Sequence, residues 1–202
     1  MSSETPRPLP GLAERLPPPP GPELWPFLDA AGVCLARHGL SRTSMVDISR
    51  EMGVSRSTVY RQLTSVENAA WLLLSKELHA FYDALPEIFA TTTGPDVVLR
   101  PLAALLRGAW ASPIIAKVMR DEPDFVGRAV SFHAGPMLDQ GAEMLAPLYQ
   151  SLMDSGGIRR QDPQVLAHWL LRTFMVLLLA PPPGDLDALL EGVLLPVLAP
   201  PS

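Results

Sequence analysis

Apolar residues recur at three- and four-residue spacing along most of this chain. Leu24, Phe27 or Leu28, Ala31 and Leu35 fall on one face of an amphipathic helix over Glu23 to His38. Pro26 is tolerated in its first turn, where no N–H is needed, and Gly39 ends it. Ile48 is the apolar residue of a polar helical stretch that starts near Ser44, with Thr43 or Ser44 as cap. Met52-Gly53-Val54 then predicts a tight turn, because Gly53 can take positive φ without a Cβ clash. Ser55 is placed to cap a second short helix, with Val59 and Leu63 inward and Arg56, Ser57, Thr58, Tyr60 and Arg61 outward. Thr64-Ser65-Val66-Glu67 has the form of a capping box opening a long linking helix. Leu74, Leu78, Phe81 and Leu85 keep its period until Pro86.

From Gly94 onward the pattern stays helical. Segments near Val97–Ala109, Pro113–Arg120, Asp124–Met153, Pro163–Leu179 and Leu186–Leu198 are separated by Gly- and Pro-containing breakers. Pro136 and Pro147 are expected to kink or split the long middle segment. No alternating run bounded by hairpin turns occurs, so the expected fold is all-α. Residues 1–22 hold eight of the chain's 23 prolines and read as a disordered or polyproline-like arm.

Two short helices about a glycine turn, the second with polar side chains and arginines at its N-terminal end, form a helix-turn-helix pattern. Such an end suits a major groove, where base edges and phosphates both accept donors. The chain's net charge of −5 argues against nucleic acid, but its distribution reverses that. Arg37, Arg42, Arg50, Arg56 and Arg61 face only Asp47 and Glu51 between residues 37 and 63, about +3 locally, leaving about −8 elsewhere. A basic module on an acidic body attracts DNA at one face and repels it at the others.

Residues 24–63 also resemble the TetR class of bacterial transcriptional repressors. The resemblance rests on Ala31, Leu35, Gly39, Thr43-Ser44-Met45, Ile48, Gly53-Val54-Ser55, Thr58-Val59-Tyr60 and Leu63. The chain departs from the pattern at Gln62 (usually histidine or tyrosine), Leu63 (usually phenylalanine) and Val66 (commonly a lysine). The resemblance implies a three-helix DNA-binding domain over residues 23–66. It further implies a helical effector-binding and dimerisation domain over residues 67–202. The partners it implies are a palindromic double-stranded operator, a second copy of the chain and a small effector, with no cofactor.

Within that frame, Arg42, Thr43, Ser44 and Tyr60 are candidates for phosphate positioning, and Ser55, Arg56, Ser57 and Arg61 for base edges, with Thr58 beside them. The two C-terminal helical segments are apolar nearly all round. Trp169, Phe174, Met175, Leu178, Leu189, Leu190 and Val193 call for cover on more than one side, as a four-helix dimer interface would give. For an effector pocket the candidates are Trp110, Met119, Phe125, Met137, Trp169 and Phe174, with His133, Gln140 and Arg172 as polar hooks. Such a pocket would take an uncharged or weakly anionic lipophilic molecule.

Other chemistries find no support in the sequence. His38, His79, His133 and His168 are scattered without metal-ligand spacing, and no phosphate-cradling glycine loop or nucleophile elbow occurs, so no enzyme is expected. Asp121, Glu122 and Asp124 read as helix-start carboxylates that complement a macrodipole. The lone Cys34 reads as a small core residue and fits a reducing cytoplasm, and the proline-rich start is unlike a secretory signal. Residues 165–180 are interrupted by His168 and Arg172 and too short to span a bilayer comfortably.

Two competing readings remain. VSRSTVYR also looks like the DNA-binding end of serine recombinases, but those carry it C-terminally behind a catalytic α/β domain. A constitutive dimeric DNA-binding or interaction protein without an effector is the other.

Overall fold

The structure, a computed structural model, describes residues 18–200, without the side chains of Phe125, Ala129, Phe132 and His133. Most of the expected proline-rich arm therefore lies outside the described residues. Among those described there are nine α-helices, one short 3-10 turn at Pro22–Leu24 and no strand. The helices are α1 (Trp25–His38), α2 (Met45–Met52), α3 (Arg56–Leu63), α4 (Val66–Ala90) and α5 (Asp96–Ala111), then α6 (Pro113–Asp121), α7 (Pro123–Asp154), α8 (Pro163–Leu179) and α9 (Leu186–Leu198). The backbone divides into two compact units. One holds residues 18–83 and 110–128, the other residues 84–109 and 129–200.

The core of the first unit is the product of helical spacing. Leu28, Ala31 and Leu35 of α1, Ile48 of α2, and Val59 and Leu63 of α3 are fully buried together, joined by Cys34, Met45 and Ala69. Each large aliphatic side chain so buried contributes about 1.5–3 kcal/mol. α2 packs on α1, α3 packs on α2, and α6 also packs on α1.

Caps set the ends of these helices. Ser44 and Asp47 form a reciprocal capping box at the start of α2. Gly53 ends α2 in the left-handed region, at φ 68° and ψ 28°. Ser55 caps α3, its Oγ accepting from Thr58 N. At α4 the cap is Ser65 rather than Thr64. Ser65 Oγ accepts from Asn68 N at 3.0 Å, and the Asn68 amide donates to Leu63 O at 2.9 Å. The expected Thr64–Glu67 box does not form, because Thr64 itself takes a positive φ of 65° at the end of α3.

Proline ends fewer helices than the sequence implied. α4 continues past Pro86 to Ala90, and α7 is helical through both Pro136 and Pro147. In α4 the reason is packing: Leu85 and Phe89 flank Pro86 and are both buried, while Pro86 is exposed. Burial of the two apolar neighbours offsets the lost backbone bond.

In the second unit, Asp162 caps α8 by accepting from Gln164 N and Val165 N, and Asp185 caps α9 by accepting from Ala188 N. Gly156, at φ 74°, turns the chain after α7. Arg159 N then donates to Leu198 O at 2.7 Å, satisfying a terminal carbonyl of α9.

Candidate nucleic-acid interface

α2 and α3 are joined through three residues. Gly53 N donates to Arg50 O at 3.2 Å and Val54 N to Ser49 O at 3.1 Å, which closes the end of α2. Ser55 then starts α3, with its hydroxyl also 2.8 Å from both Ser57 Oγ and Thr58 Oγ1. Val59 and Leu63 anchor the inner face of α3. Arg56, Ser57, Tyr60 and Arg61 occupy its exposed face, with Ser55 at the N-terminal end and Thr58 half-buried. Tyr60 is 53% exposed, so its ring is a surface group and not a core aromatic. The result is a short helix with hydroxyl and guanidinium donors on the side away from its packing, which is the chemistry a DNA groove demands.

The residues ahead of α2 divide differently from expectation. Ser44 and Arg42 are exposed, and Arg42 lies 3.9 Å from the carboxylate of Asp121. Thr43 is only 7% exposed, and its hydroxyl donates inward, to Gly39 O at 2.6 Å and Cys34 O at 3.2 Å. Its side chain thus closes the end of α1 and is not offered to a phosphate. The α2 box also perturbs an acid. Hydrogen bonds from the Ser44 hydroxyl and N–H hold the Asp47 carboxyl below its ordinary range, and Arg50 acts in the same direction.

One residue near the interface was read for another role. Glu122, expected to face a macrodipole, is 9% exposed and accepts from Ser41 N with both carboxylate oxygens, at 2.9 and 3.1 Å. The only trace of this in the sequence is its place beside Pro123 at a helix junction. No pattern joins residues 81 positions apart.

The expected pocket residues are divided between the two compact units. Trp110 and Met119 belong to the first compact unit; Met137, Gln140, Trp169, Arg172 and Phe174 belong to the second. Met137 and Gln140 are exposed. Arg172 is exposed too, and its guanidinium is engaged by His168 Nδ1 and O. The side chains of Phe125 and His133 lie outside the described residues. A cleft of about 330 Å³ in the second unit is lined by other residues: Asp96, Leu99, Arg100, Ala103, Arg107, Asp187, Leu190 and Glu191. Arg107 and Asp187 form an ion pair across it.

The two C-terminal helices carry an exposed apolar stripe. On α8, Val165, Trp169, Val176 and Leu179 are exposed at spacings of four, seven and three, one side of a helix. On α9, Leu189, Val193 and Val197 follow at four-residue spacing. Of the expected interface residues, Trp169, Leu189 and Val193 lie on this stripe, and Met175 and Leu178 are half-buried beside it. Leu190 is 3% exposed within the single chain, so it has no surface to give a partner.

Comparison with known proteins places this geometry. Residues 27–65 match the model for bacterial regulatory proteins of the tetR family. Over 145 residues, 72% of this chain and 74% of the relative, the sequence is 27% identical to an uncharacterized HTH-type transcriptional regulator of Mycobacterium tuberculosis. A TetR-family transcriptional regulator from Pectobacterium atrosepticum superposes with a TM-score of 0.67 at 19% identity, over 87% of this chain and 94% of that one. The TetR family repressor AlkX from Dietzia, implicated in n-alkane biodegradation, gives 0.57 at 23% identity, over 86% and 91%. At these identities the structural likenesses establish the fold.

Proposed function

We propose that the chain is a DNA-binding transcriptional regulator of the TetR family, a repressor that binds a palindromic operator as a homodimer and is released by a small lipophilic effector. The observation that carries the DNA reading is the outer face of α3. There Arg56, Ser57, Tyr60 and Arg61 are exposed on a helix whose other face is locked by Val59 and Leu63. Arg56, Ser57, Ser55 and Arg61 are assigned to base edges, Tyr60, Ser44 and Arg42 to phosphates, and Thr58 to orienting the Ser55 hydroxyl.

The apolar side chains exposed on α8 and α9 support homodimerisation. Seven exposed apolar side chains on these two consecutive helices are surface that a second copy of the chain would cover. A two-fold axis through it would present two α3 helices to half-sites one turn apart, about 34–36 Å. Residues 23–66 would then serve as the DNA-binding domain and residues 67–202 as the dimerising, effector-binding body, in the cytoplasm where the DNA is. Among the described residues no single helix is long and apolar enough to cross a membrane.

Effector release rests on family habit and on the relative implicated in n-alkane biodegradation, which supports a lipophilic ligand class. The test is reciprocity: an apolar compound that raises thermal stability must also lower operator affinity, and the operator must lower the compound's affinity by the same factor. Compounds that stabilise without changing DNA affinity, across a broad apolar screen, would remove the effector. The alternative, a constitutive dimeric regulator, draws on one observation: Met137, Gln140 and Arg172 are exposed.

A further inference from the structure

We propose that Glu122 is a positioning residue for DNA binding, its carboxylate fixing the turn that leads into α2. This inference rests on the DNA-reading function above and assigns part of that function to a residue outside the helix-turn-helix.

The turn comprises residues 39–44. It is held both from within and by a distant part of the chain. From within, Thr43 Oγ1 donates to Gly39 O at 2.6 Å. From outside, Glu122 accepts the Ser41 N–H with both oxygens, and the carboxylate is nearly buried while doing so. Gly39 sits at φ +81°, and a Cβ there would stand 2.7 Å from Glu122 Oε1. The absence of a side chain at Gly39 therefore makes room for this carboxylate.

Glu122 is itself held in place. Its N–H donates to Val118 O at 2.9 Å, closing the last turn of α6. The neighbouring Asp121 is tied by Lys117 at 2.6 Å and by Arg120 at 3.1 Å, and Arg42 lies within 3.9 Å of it. Around the latch, α6 packs on α1 and α1 on α2. Arg42 and Ser44, both assigned to the DNA backbone, stand one and three residues beyond the latched Ser41 N–H. α3 follows α2 through the closed Gly53 turn. A shift in the 39–44 turn would therefore reposition the backbone-contacting residues and the start of α2 together. A charge-assisted bond to a backbone donor is among the stronger single hydrogen bonds a protein makes, so one such bond can set this position.

The experiment uses the full-length protein and measures affinity for the duplex that the wild type selects from a random library, at one fixed salt concentration and at a temperature where circular dichroism shows each variant fully folded. Glu122→Ala removes the acceptor, Glu122→Gln keeps one neutral acceptor, and Glu122→Asp draws the acceptor back by one methylene. The expected result is an affinity loss of about tenfold for Glu122→Ala, within about threefold of wild type for Glu122→Gln, and an intermediate loss for Glu122→Asp. The preferred base sequence stays the same in all three. Should Glu122→Ala fail to fold, the ordering of Gln above Asp carries the test. Wild-type affinity in folded Glu122→Ala, or equal losses in all the variants, would overturn the proposal, since a purely structural residue changes stability and not the affinity of folded protein. Selection of no sequence by the wild type would instead sink the DNA reading. Hydrogen exchange at the Ser41 amide needs no DNA and decides the latch separately. Protection in wild type that falls in Glu122→Asp supports it, and equal exchange in both overturns it.

Discussion

Thr43 Oγ1 lies 2.6 Å from the carbonyl oxygen of Gly39 and 3.2 Å from that of Cys34, so one buried hydroxyl ties the turn after α1 back to that helix. Replacing Thr43 with valine keeps the shape and leaves those acceptors without their donor. Thr43→Val should lower unfolding free energy by about 1–2 kcal/mol in urea titration. The preferred operator sequence should not change. A variant as stable as wild type but weaker on all sequences alike would return Thr43 to the DNA surface.

Gly39 and Gly53 both take positive φ, at 81° and 68°, but differ in what a side chain would meet. A Cβ at Gly53 has nothing within 4 Å, whereas one at Gly39 runs into Glu122. Gly53→Ala should cost about 1 kcal/mol, from backbone conformation alone. Gly39→Ala should cost more and also lower DNA affinity. Gly39 also has ψ 174°, a region essentially confined to glycine, so equal effects in denaturant melts would show that neither the crowding nor the backbone conformation there adds a cost.

The α2 cap predicts an acid limb. Asp47 is held below its ordinary value first by the Ser44 hydroxyl, then by the Ser44 N–H. A carboxylate depressed in the folded state contributes stability above its unfolded value, about 4, and that contribution is lost as pH falls through the folded one. Ser44→Ala should therefore be less stable than wild type near neutrality and show a shallower decline on acidification. Urea midpoints followed from about pH 6 to pH 2 check this, and parallel curves would contradict it.

Arg56 and Tyr60 are predicted to fail differently. Arg56→Ala should relax preference at one base position by about 1–3 kcal/mol, the usual discrimination of an arginine on guanine. Tyr60→Phe should weaken all sequences alike. Competition binding with operator variants separates the two, and an unchanged preference in Arg56→Ala would take that residue off the base edges.

For the dimer, Trp169→Asp with Val193→Asp places two charges on the exposed stripe without entering the core. Sedimentation velocity should show a folded monomer and lost operator binding. A persisting dimer would move the interface elsewhere.

What the sequence revealed follows from how local each cause is. The α1–α3 module was legible because its signals, Gly39, Ser44, Gly53 and Ser55 between apolar residues at helical spacing, act within one turn. The helix breaks at Ser112-Pro113, Glu122-Pro123 and Asp162-Pro163 were legible for the same reason. Pro86 misled because the burial of Leu85 and Phe89 is a tertiary effect that overrides a local one. Thr43 misled because a threonine before a helix can cap it, bind a phosphate or turn inward, and only the position of Gly39 O decides. Glu122 was out of reach, since its partner is 81 residues away. Among the apolar residues of α8 and α9, composition alone could not separate the buried Leu190 from the exposed Val193.

The most direct test of the DNA reading is selection of bound duplexes from a random library by the purified full-length protein at a stated salt concentration. The account predicts an enriched palindrome with half-site centres about one helical turn or a multiple apart. Binding without any enriched sequence, falling steeply with added salt, would contradict it.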